Sequence, residues 1–242
     1  MRRMLFICLT LSLMWIRGGA AQTDGGIVPV DQGRGDLGAL TRMHDYLQQR
    51  PAVEFKTSFR ETSDLPGMGR SGTAHFFIKR PKSFRIELSS GKEDYLFISD
   101  GTTLTIYRPN ARKYARIPSK DSMIGTMYTA IGLLGTQAKL IDFIWTIDYG
   151  EQVSSKAIGS QNIGEETCDR FSVQRFEQQW DVWLRKDGAP VPCRIVSRKL
   201  DANDRTVQTN EFAWVDTPAF SQDLFLFTPP ADAVEVGPSE IE

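Results

Sequence analysis

Histidine and cysteine are scarce in this chain of 242 residues, which has two histidines and three cysteines. His44 and His75 are too few, and have no matching ligand spacing, to predict a metal site. Catalytic motifs are missing as well: there is no His-Glu-x-x-His, no Gly-x-Ser-x-Gly and no glycine-rich phosphate loop. We therefore predict that the protein is not an enzyme and uses no cofactor or metal.

The chain also lacks an excess of basic residues. Without residues 1–21, which hold three of the 29 basic residues, 26 basic residues remain against 30 acidic ones, a net charge of −4. This balance leaves no electrostatic footprint for nucleic acid. Beyond the N-terminus, no segment has the roughly 20 consecutive apolar residues of a membrane-spanning helix. We expect neither a nucleic-acid partner nor a transmembrane helix.

The N-terminus has the features of a secretory signal peptide. Arg2 and Arg3 precede a mainly apolar run of 13 residues, 4–16, and small residues follow it. The run is shorter than a bilayer-spanning helix needs, although a membrane anchor is the alternative. We expect export to the periplasm, cleavage after Ala21 and a flexible leader at 22–34.

The cysteine spacing agrees with export. Cys8 lies in the apolar N-terminal run, so Cys168 and Cys193 remain in the mature chain, 25 residues apart. In an oxidising compartment two cysteines predict one disulfide across neighbouring strands, and two buried thiols are the alternative.

Alternating apolar residues predict that most of the chain is β-sheet. Asp100-Gly101 between two such segments predicts a tight hairpin. The eleven predicted strands are 53–61, 73–79, 84–88, 95–99, 102–108, 114–117, 154–160, 167–176, 179–185, 192–200 and 206–215. A further apolar segment, 224–228, ends at two prolines.

Two regions have helical spacing instead. The first begins after Asp36, which can cap it, and ends before Pro51; its apolar residues are Leu37, Leu40, Met43 and Leu47. The second, 122–138, is 17 residues without a charge and predicts two short helices broken near Gly135. This insert is either a plug that packs permanently on the sheet or a movable lid over an apolar cavity. Together these patterns predict one long curved sheet wrapped around helices.

Several motifs resemble known periplasmic families. Those similar to the LolA lipoprotein carriers are Lys79-Arg80-Pro81, Phe84-Arg85, Ser99-Asp100-Gly101 with Leu104, Tyr107-Arg108-Pro109-Asn110 and the ending Phe225-Leu226-Phe227-Thr228-Pro229-Pro230. The middle and C-terminal parts most resemble the predicted periplasmic family called domain of unknown function 2092, at 180–184, Pro190-Val191-Pro192, Phe212-Ala213-Trp214 and the same ending. The resemblance covers roughly 37–236.

The resemblance implies a mainly β (α+β) fold: a half-open antiparallel β-barrel with an N-terminal helix and a central helical lid or plug. We expect one such domain at 35–236, with an acidic tail at 237–242. The implied function is a monomeric periplasmic carrier of lipid or lipoprotein cargo, with a membrane-protein donor or acceptor. Arg80 would hold the lid shut. The alternative is an envelope sensor or regulatory module of the same fold.

The predicted binding residues are apolar. The cavity and lid residues are Phe55, Phe59, Phe76, Ile78, Phe84, Ile86, Met123, Met127, Ile131 and Leu134. If they face each other without touching, they leave a cavity that acyl chains can fill, at roughly 0.8 kcal/mol for each buried methylene. The alternative is that the same aromatic residues pack together and leave no room.

Overall fold

The computed structural model describes residues 37–63, 69–91, 93–132, 144–145, 153–200 and 206–241. In these ranges the chain forms two α-helices, α1 (Leu37–Gln49) and α2 (Met123–Gly132). The strands in the same ranges are β1 (Ala52–Thr62), β2 (Arg70–Lys79), β3 (Ser83–Ser89), β4 (Asp94–Ser99), β5 (Thr103–Arg108), β6 (Lys113–Pro118), β7 (Val153–Ile163), β8 (Glu166–Arg175), β9 (Gln178–Arg185), β10 (Pro192–Lys199), β11 (Val207–Val215) and β12 (Val234–Glu235).

All of these strands belong to one sheet, in the order β12-β6-β5-β4-β3-β2-β1-β11-β10-β9-β8-β7. Neighbouring strands are antiparallel except β12, which pairs parallel with β6. In the described part of the chain β7 and β12 are the two edges, and they do not pair with each other. The strand order confirms the prediction of a mainly β, half-open antiparallel barrel.

The predicted N-terminal helix is confirmed as α1. Leu40, Met43 and Leu47, spaced three and four residues apart, are at most 1 % exposed. This spacing places them on one face of the helix, and the sheet buries that face. Pro51 follows the last turn and leads directly into β1.

The predicted Asp-Gly hairpin connects β4 to β5. The Asp100 side chain accepts hydrogen bonds from the backbone N–H groups of Thr102 (2.7 Å) and Thr103 (2.8 Å). Gly101 has φ 98°, a left-handed conformation that costs little only for glycine. Local chemistry therefore determines this turn.

Four details differ from the predicted strands. β2 begins at Arg70, three residues before the predicted start, and β7 ends at Ile163, three residues after the predicted end. Segment 224–228 begins inside a short 3-10 helix, Gln222–Phe225, and β12 was not predicted. Two residues are too few to show an alternating pattern, so only pairing with β6 defines β12. The predicted helix break near Gly135 lies outside the described residues.

Candidate ligand-binding interior

An apolar row crosses the inner face of seven neighbouring strands, from β11 to β6. Each residue lies directly opposite the next across the strand pair: Trp214, Phe55, Phe76, Ile86, Phe97, Ile106 and Ala115. All except Trp214 are at most 2 % exposed. We call this set the apolar row. Alternation within each strand places it on one face, but only the register aligns it across the sheet.

Two helices cover the apolar row. α1 contributes Leu40, Met43 and Leu47 to the same hydrophobic cluster, and α2 contributes Met123 and Met127. Met127 is fully buried, and Met123 is 4 % exposed. Within its ten residues α2 carries no charge, so nothing on it opposes burial against an apolar sheet.

The structure brings most of the predicted cavity and lid residues together. Those in the shared buried cluster are Phe55, Phe59, Phe76, Ile78, Phe84, Ile86, Met123 and Met127. The side chain of Ile131 and all of Leu134 lie outside the described residues. That these residues bind a ligand stays a prediction.

The aromatic side chains of the apolar row touch one another. The rings of Phe55 and Phe76 stack with their centroids 4.5 Å apart, and those of Phe55 and Trp214 lie 4.6 Å apart. These are ordinary packing distances for aromatic pairs. These contacts join cross-strand neighbours on one face of the sheet.

Local hydrogen bonds hold the start of α2. Ser122 accepts a hydrogen bond on Oγ from the Gly125 backbone N–H at 3.0 Å, which is an N-cap. The Thr126 hydroxyl accepts from the Lys120 N–H at 2.9 Å and donates to the Ser122 carbonyl at 3.1 Å. These bonds fix where α2 leaves β6, whereas Met123 and Met127 contact the sheet by apolar packing.

The inner face changes character from β11 to β7. A second cross-strand row there consists of Gln208, Ser197, Trp180, Val173 and Ser155, each opposite the next. All five are at most 7 % exposed. We call this set the polar row, and Asn210 lies beside it, two residues along β11 from Gln208. Sequence reasoning missed it, although the alternation of Gln208, Asn210 and Phe212 in β11 carried the signal.

Arg80 lies at the junction of the sheet and both helical regions. Its Nε donates to the Arg50 carbonyl at 3.1 Å and its Nη2 donates to the Leu47 carbonyl at 3.0 Å. These acceptors lie at the C-terminal end of α1, where carbonyls have no partner within the helix. The guanidinium also lies 5.7 Å from the ring centroid of Trp145, in the segment after α2. Burial lowers the pKa of the Arg80 guanidinium.

Trp145 adds a second connection between α1 and the segment after α2. The indole is 3 % exposed and belongs to the main hydrophobic cluster. Its carbonyl accepts a hydrogen bond from Gln48 Nε2 at 3.1 Å. Gln48 and Arg80 therefore both connect Trp145 to the end of α1.

The predicted disulfide between Cys168 and Cys193 is confirmed, with Cα atoms 6.7 Å apart. The prediction that it joins neighbouring strands is wrong, because the cysteines lie on β8 and β10 with β9 between them. A register shift between Pro192 and Arg194 marks an irregularity in β10 at Cys193. Glu166 lies beside the sulfurs, but cysteines joined in a disulfide do not offer the thiolates that metals bind.

Charged residues of the C-terminal strands lie on the outer face. Asp181 is 3 % exposed and forms ion pairs with Arg170, at 3.2 Å, and with Arg198. The Trp183 ring lies between the guanidinium groups of Arg170 (4.9 Å) and Arg194 (5.7 Å). The buried carboxylate of Asp181 thus has two cationic partners, Arg170 and Arg198, which offset the cost of burying its charge.

The C-terminal segment covers part of the outer face. Phe220 packs edge-on against Phe77 of β2 at 6.1 Å, and Phe227 lies 5.4 Å from Tyr107 and 5.3 Å from Tyr114. In the predicted acidic tail, Ile241 is 1 % exposed and joins the main hydrophobic cluster. The C-terminal segment thus packs aromatic side chains on the outer face of β2, β5 and β6.

An open groove of about 850 Å³ runs along β1 to β4 and β11. Most of the residues that line it lie on the outer face of the sheet, opposite the apolar row. Two side-chain pairs lie along it: His75 lies 3.0 Å from Glu54, and Arg85 lies 2.7 Å from Glu87. The groove therefore offers a mixed surface of polar and apolar groups.

Comparison with known proteins identifies the family. The model of a family of predicted periplasmic proteins, domain of unknown function 2092, matches residues 38–237. The chain belongs to this family. The match confirms the second resemblance found in the sequence, and the family description agrees with the predicted compartment. A search of curated proteins finds no match.

Solved structures with similar folds are distant in sequence. An uncharacterised conserved protein from Thermus thermophilus has a TM-score of 0.48 and 12 % identity, covering 83 % of this chain and 97 % of its own. The Pseudomonas aeruginosa MucA/MucB complex has a TM-score of 0.48 and 11 % identity, and the alignment covers 82 % of this chain and 62 % of the matched chain. A LolA superfamily protein from Nitrosomonas europaea has a TM-score of 0.39 and 8 % identity, with 81 % and 98 % covered. The fold assignment rests on strand order and register.

Among the described residues, neither α1 nor α2 has the length and apolar character of a bilayer-crossing helix.

Proposed function

We propose that this member of domain of unknown function 2092 is a periplasmic binding protein that carries an acyl chain of a lipid or lipoprotein. The chain would lie on the inner face of the sheet, between the apolar row and α2. The observation that supports this proposal best is an uncharged helix, held by methionines, over an apolar surface that spans seven strands. α1 covers part of the same surface with Leu40, Met43 and Leu47.

The side chains of α2 would allow an acyl chain to take their place on the sheet. Methionine side chains are unbranched and adapt to irregular neighbours, so Met123 and Met127 can move without breaking a polar contact. An acyl chain that replaced them would gain roughly 0.8 kcal/mol for each methylene it buries. The apolar row would then stay out of water in both the empty and the loaded state.

Arg80 would hold the closed state. It connects the end of β2 to two carbonyls of α1 and to Trp145. Its charge-assisted hydrogen bonds are stronger than neutral ones, and the planar guanidinium can serve both carbonyls at once. Loss of these contacts would release the Trp145 segment, and α2 with it, from α1.

The test is binding of a fluorescent fatty acid, dansyl-undecanoic acid, to purified protein. We expect wild type to bind it and Arg80→Leu to bind it at least several-fold faster, because the closed state is weakened. Arg42→Leu, which removes an exposed arginine from α1, is the matched control and should behave as wild type. Circular dichroism shows whether each variant is folded.

Mass spectrometry of protein purified from the periplasm without detergent adds an independent measurement. A carrier should retain an acyl-containing molecule of defined mass. If wild type binds no fluorescent fatty acid and retains no lipid, the proposal is wrong.

The second candidate is a regulatory module that contacts another protein and carries no cargo. The close aromatic packing of Phe55, Phe76 and Trp214 favours it, because a well-packed interior needs no ligand. A wild-type protein whose melting temperature is unchanged by saturating fatty acid would support this candidate.

A further inference from the structure

Two buried amide side chains on β11 each have one atom without a hydrogen-bond partner among the described residues. Gln208 is 3 % exposed and Asn210 is 2 % exposed. Among the described residues, none makes a hydrogen bond to Gln208 Nε2 or to Asn210 Oδ1. Leaving a buried polar atom unpaired costs on the order of 1–3 kcal/mol, so native proteins rarely keep two side by side.

The two atoms face the inside of the barrel. Gln208 lies opposite Ser197 of β10, and Asn210 lies opposite Phe59 of β1 and Ile195 of β10. Phe59 and Ile195 both belong to the main hydrophobic cluster beneath the helices. The amides therefore point into the same interior that the apolar row lines.

On the side toward β7, the surroundings of these amides are neutral. The cross-strand rows through Gln208 and Asn210 into β7 contain serine, tryptophan, valine, isoleucine, phenylalanine and alanine, without a charged residue. The nearest acidic neighbour in register is Glu61 of β1, which is partly exposed and lies opposite Gln208 at the border of the polar row. A charged headgroup would find no counter-ion in these rows. A neutral polar group would lose less hydration free energy on entering them.

The unpaired atoms are complementary to one chemical group. Gln208 Nε2 is a donor and needs an acceptor, while Asn210 Oδ1 is an acceptor and needs a donor. Their residues are two apart on one strand, about 7 Å, so one planar group could contact both side chains. A secondary amide has one C=O and one N–H on opposite sides, whereas an ester has acceptors alone.

We propose that Gln208 and Asn210 bind the neutral secondary amide that joins an acyl chain to the rest of the ligand. The inference rests on the proposed function, because it places the acyl chain against the apolar row. Asn210 and Trp214 of that row are four residues apart on β11, about 13 Å, a distance that an acyl chain of medium length can span. The ligand class is therefore an N-acylated molecule.

The test compares two ligands that differ by one group. N-Methyldecanamide and methyl decanoate have the same chain and shape, but the ester has an oxygen where the amide has N–H. We expect wild type to bind the amide about tenfold more tightly by titration calorimetry, the effect of one additional buried hydrogen bond. Equal or weaker binding of the amide overturns the inference and leaves the proposed function intact, whereas no binding of either ligand overturns both.

Variants test the two residues directly. Asn210→Leu should abolish the preference for the amide while preserving binding of the ester. Gln208→Leu removes the donor to the carbonyl that both ligands have, so it should weaken binding of both and keep the preference. Gln174→Leu, which removes an exposed amide from β8, is the control and should keep the wild-type preference. An unchanged preference in Asn210→Leu overturns the inference.

Thermal unfolding gives a readout independent of ligand. If Asn210 is kept for binding, Asn210→Leu should raise the melting temperature of the empty protein by about 2–4 °C, because it removes an unpaired buried acceptor. A melting temperature lowered by a similar amount would show that Asn210 is a structural residue and overturn the assignment.

Two further ligands distinguish the source of the amide. N-Decanoylglycine methylamide represents an N-acylated polypeptide, and N-(2-hydroxyethyl)decanamide represents a small amide-linked lipid. Binding of either one more tightly than methyl decanoate supports the amide site, and the tighter of the two identifies the class of cargo. If neither exceeds the ester, the site is not for amides.

Discussion

The two halves of the inner face of the sheet differ in polarity. Strands β1 to β6 present large apolar side chains, which α1 and α2 cover. Strands β7 to β11 present a mixed surface in which Ser155, Ser197, Gln208 and Asn210 are buried. The N-terminal half thus resembles an ordinary hydrophobic core, whereas the C-terminal half keeps polar groups in a place where folding alone would favour apolar ones.

The outer face also differs between the two halves of the sheet. On the C-terminal strands Asp181 has two arginine partners, and the disulfide packs with Trp183. On the N-terminal strands aromatic residues of the C-terminal segment pack against Phe77 and Tyr107. Among the described residues, the Nε atoms of Arg170 and Arg198 on this outer face lack hydrogen-bond partners, as do Ser155 Oγ, Gln208 Nε2 and Asn210 Oδ1 on the inner face. Buried polar atoms without partners thus occur on both faces of the C-terminal strands.

The largest effect should come from a charge placed in the apolar half. Met127→Asp puts a carboxylate at a fully buried position of α2, where no described residue of the apolar row is cationic. We expect the free energy of unfolding in urea to fall by about 3–5 kcal/mol. Met127→Leu is the control and should cost less than about 1.5 kcal/mol. A Met127→Asp protein as stable as wild type would show that α2 does not pack on the sheet.

Removing the disulfide should have the next largest effect, confined to the C-terminal half. The bridge closes a loop of 25 residues, for which the chain-entropy model gives about 3.5 kcal/mol. The double variant Cys168→Ala and Cys193→Ala should lose that much stability in urea. Hydrogen exchange should show the loss in β8 to β10 more than in α1; equal loss in both would mean that the two halves unfold as one unit.

Arg80→Leu should have an intermediate effect at the boundary of α1 and the sheet. It removes two charge-assisted hydrogen bonds to α1 carbonyls, so we expect a loss of about 2 kcal/mol. Arg80→Lys should recover part of this loss, because an ammonium group can donate but lacks the planar fork. A variant in which lysine restores full stability would show that the charge alone matters.

The smallest effect should come from Thr57, between the two kinds of surface. Thr57 is 2 % exposed, and its hydroxyl makes one long contact, 3.4 Å, to the carbonyl of Ser58. We expect Thr57→Val to change the free energy of unfolding by less than about 1 kcal/mol, since a weak hydrogen bond is exchanged for apolar packing. A loss of more than about 2 kcal/mol in the free energy of unfolding would show that the buried polar groups important for stability also include Thr57 of β1.

The sequence by itself determined the elements that depend on nearby residues. The spacing of Leu40, Met43 and Leu47 predicted α1, the alternation of Phe55, Thr57 and Phe59 predicted β1, and Asp100-Gly101 predicted the hairpin. These signals lie within a few residues, and the backbone periods of 3.6 and 2 convert them directly into faces. The pairing of Cys168 with Cys193 followed from their number and their compartment.

Only the tertiary structure decided which of those faces meet. In the apolar row Trp214 lies opposite Phe55, although the two residues are 159 positions apart in the sequence. Arg80 donates to the carbonyl of Leu47, 33 residues away, and to that of Arg50, 30 residues away. Cross-strand register and helix covering are set by the whole sheet at once, so no local window of the sequence contains them. For the same reason the sequence showed Gln208 and Asn210 as ordinary strand residues, and only their burial without partners revealed two polar groups facing an apolar interior.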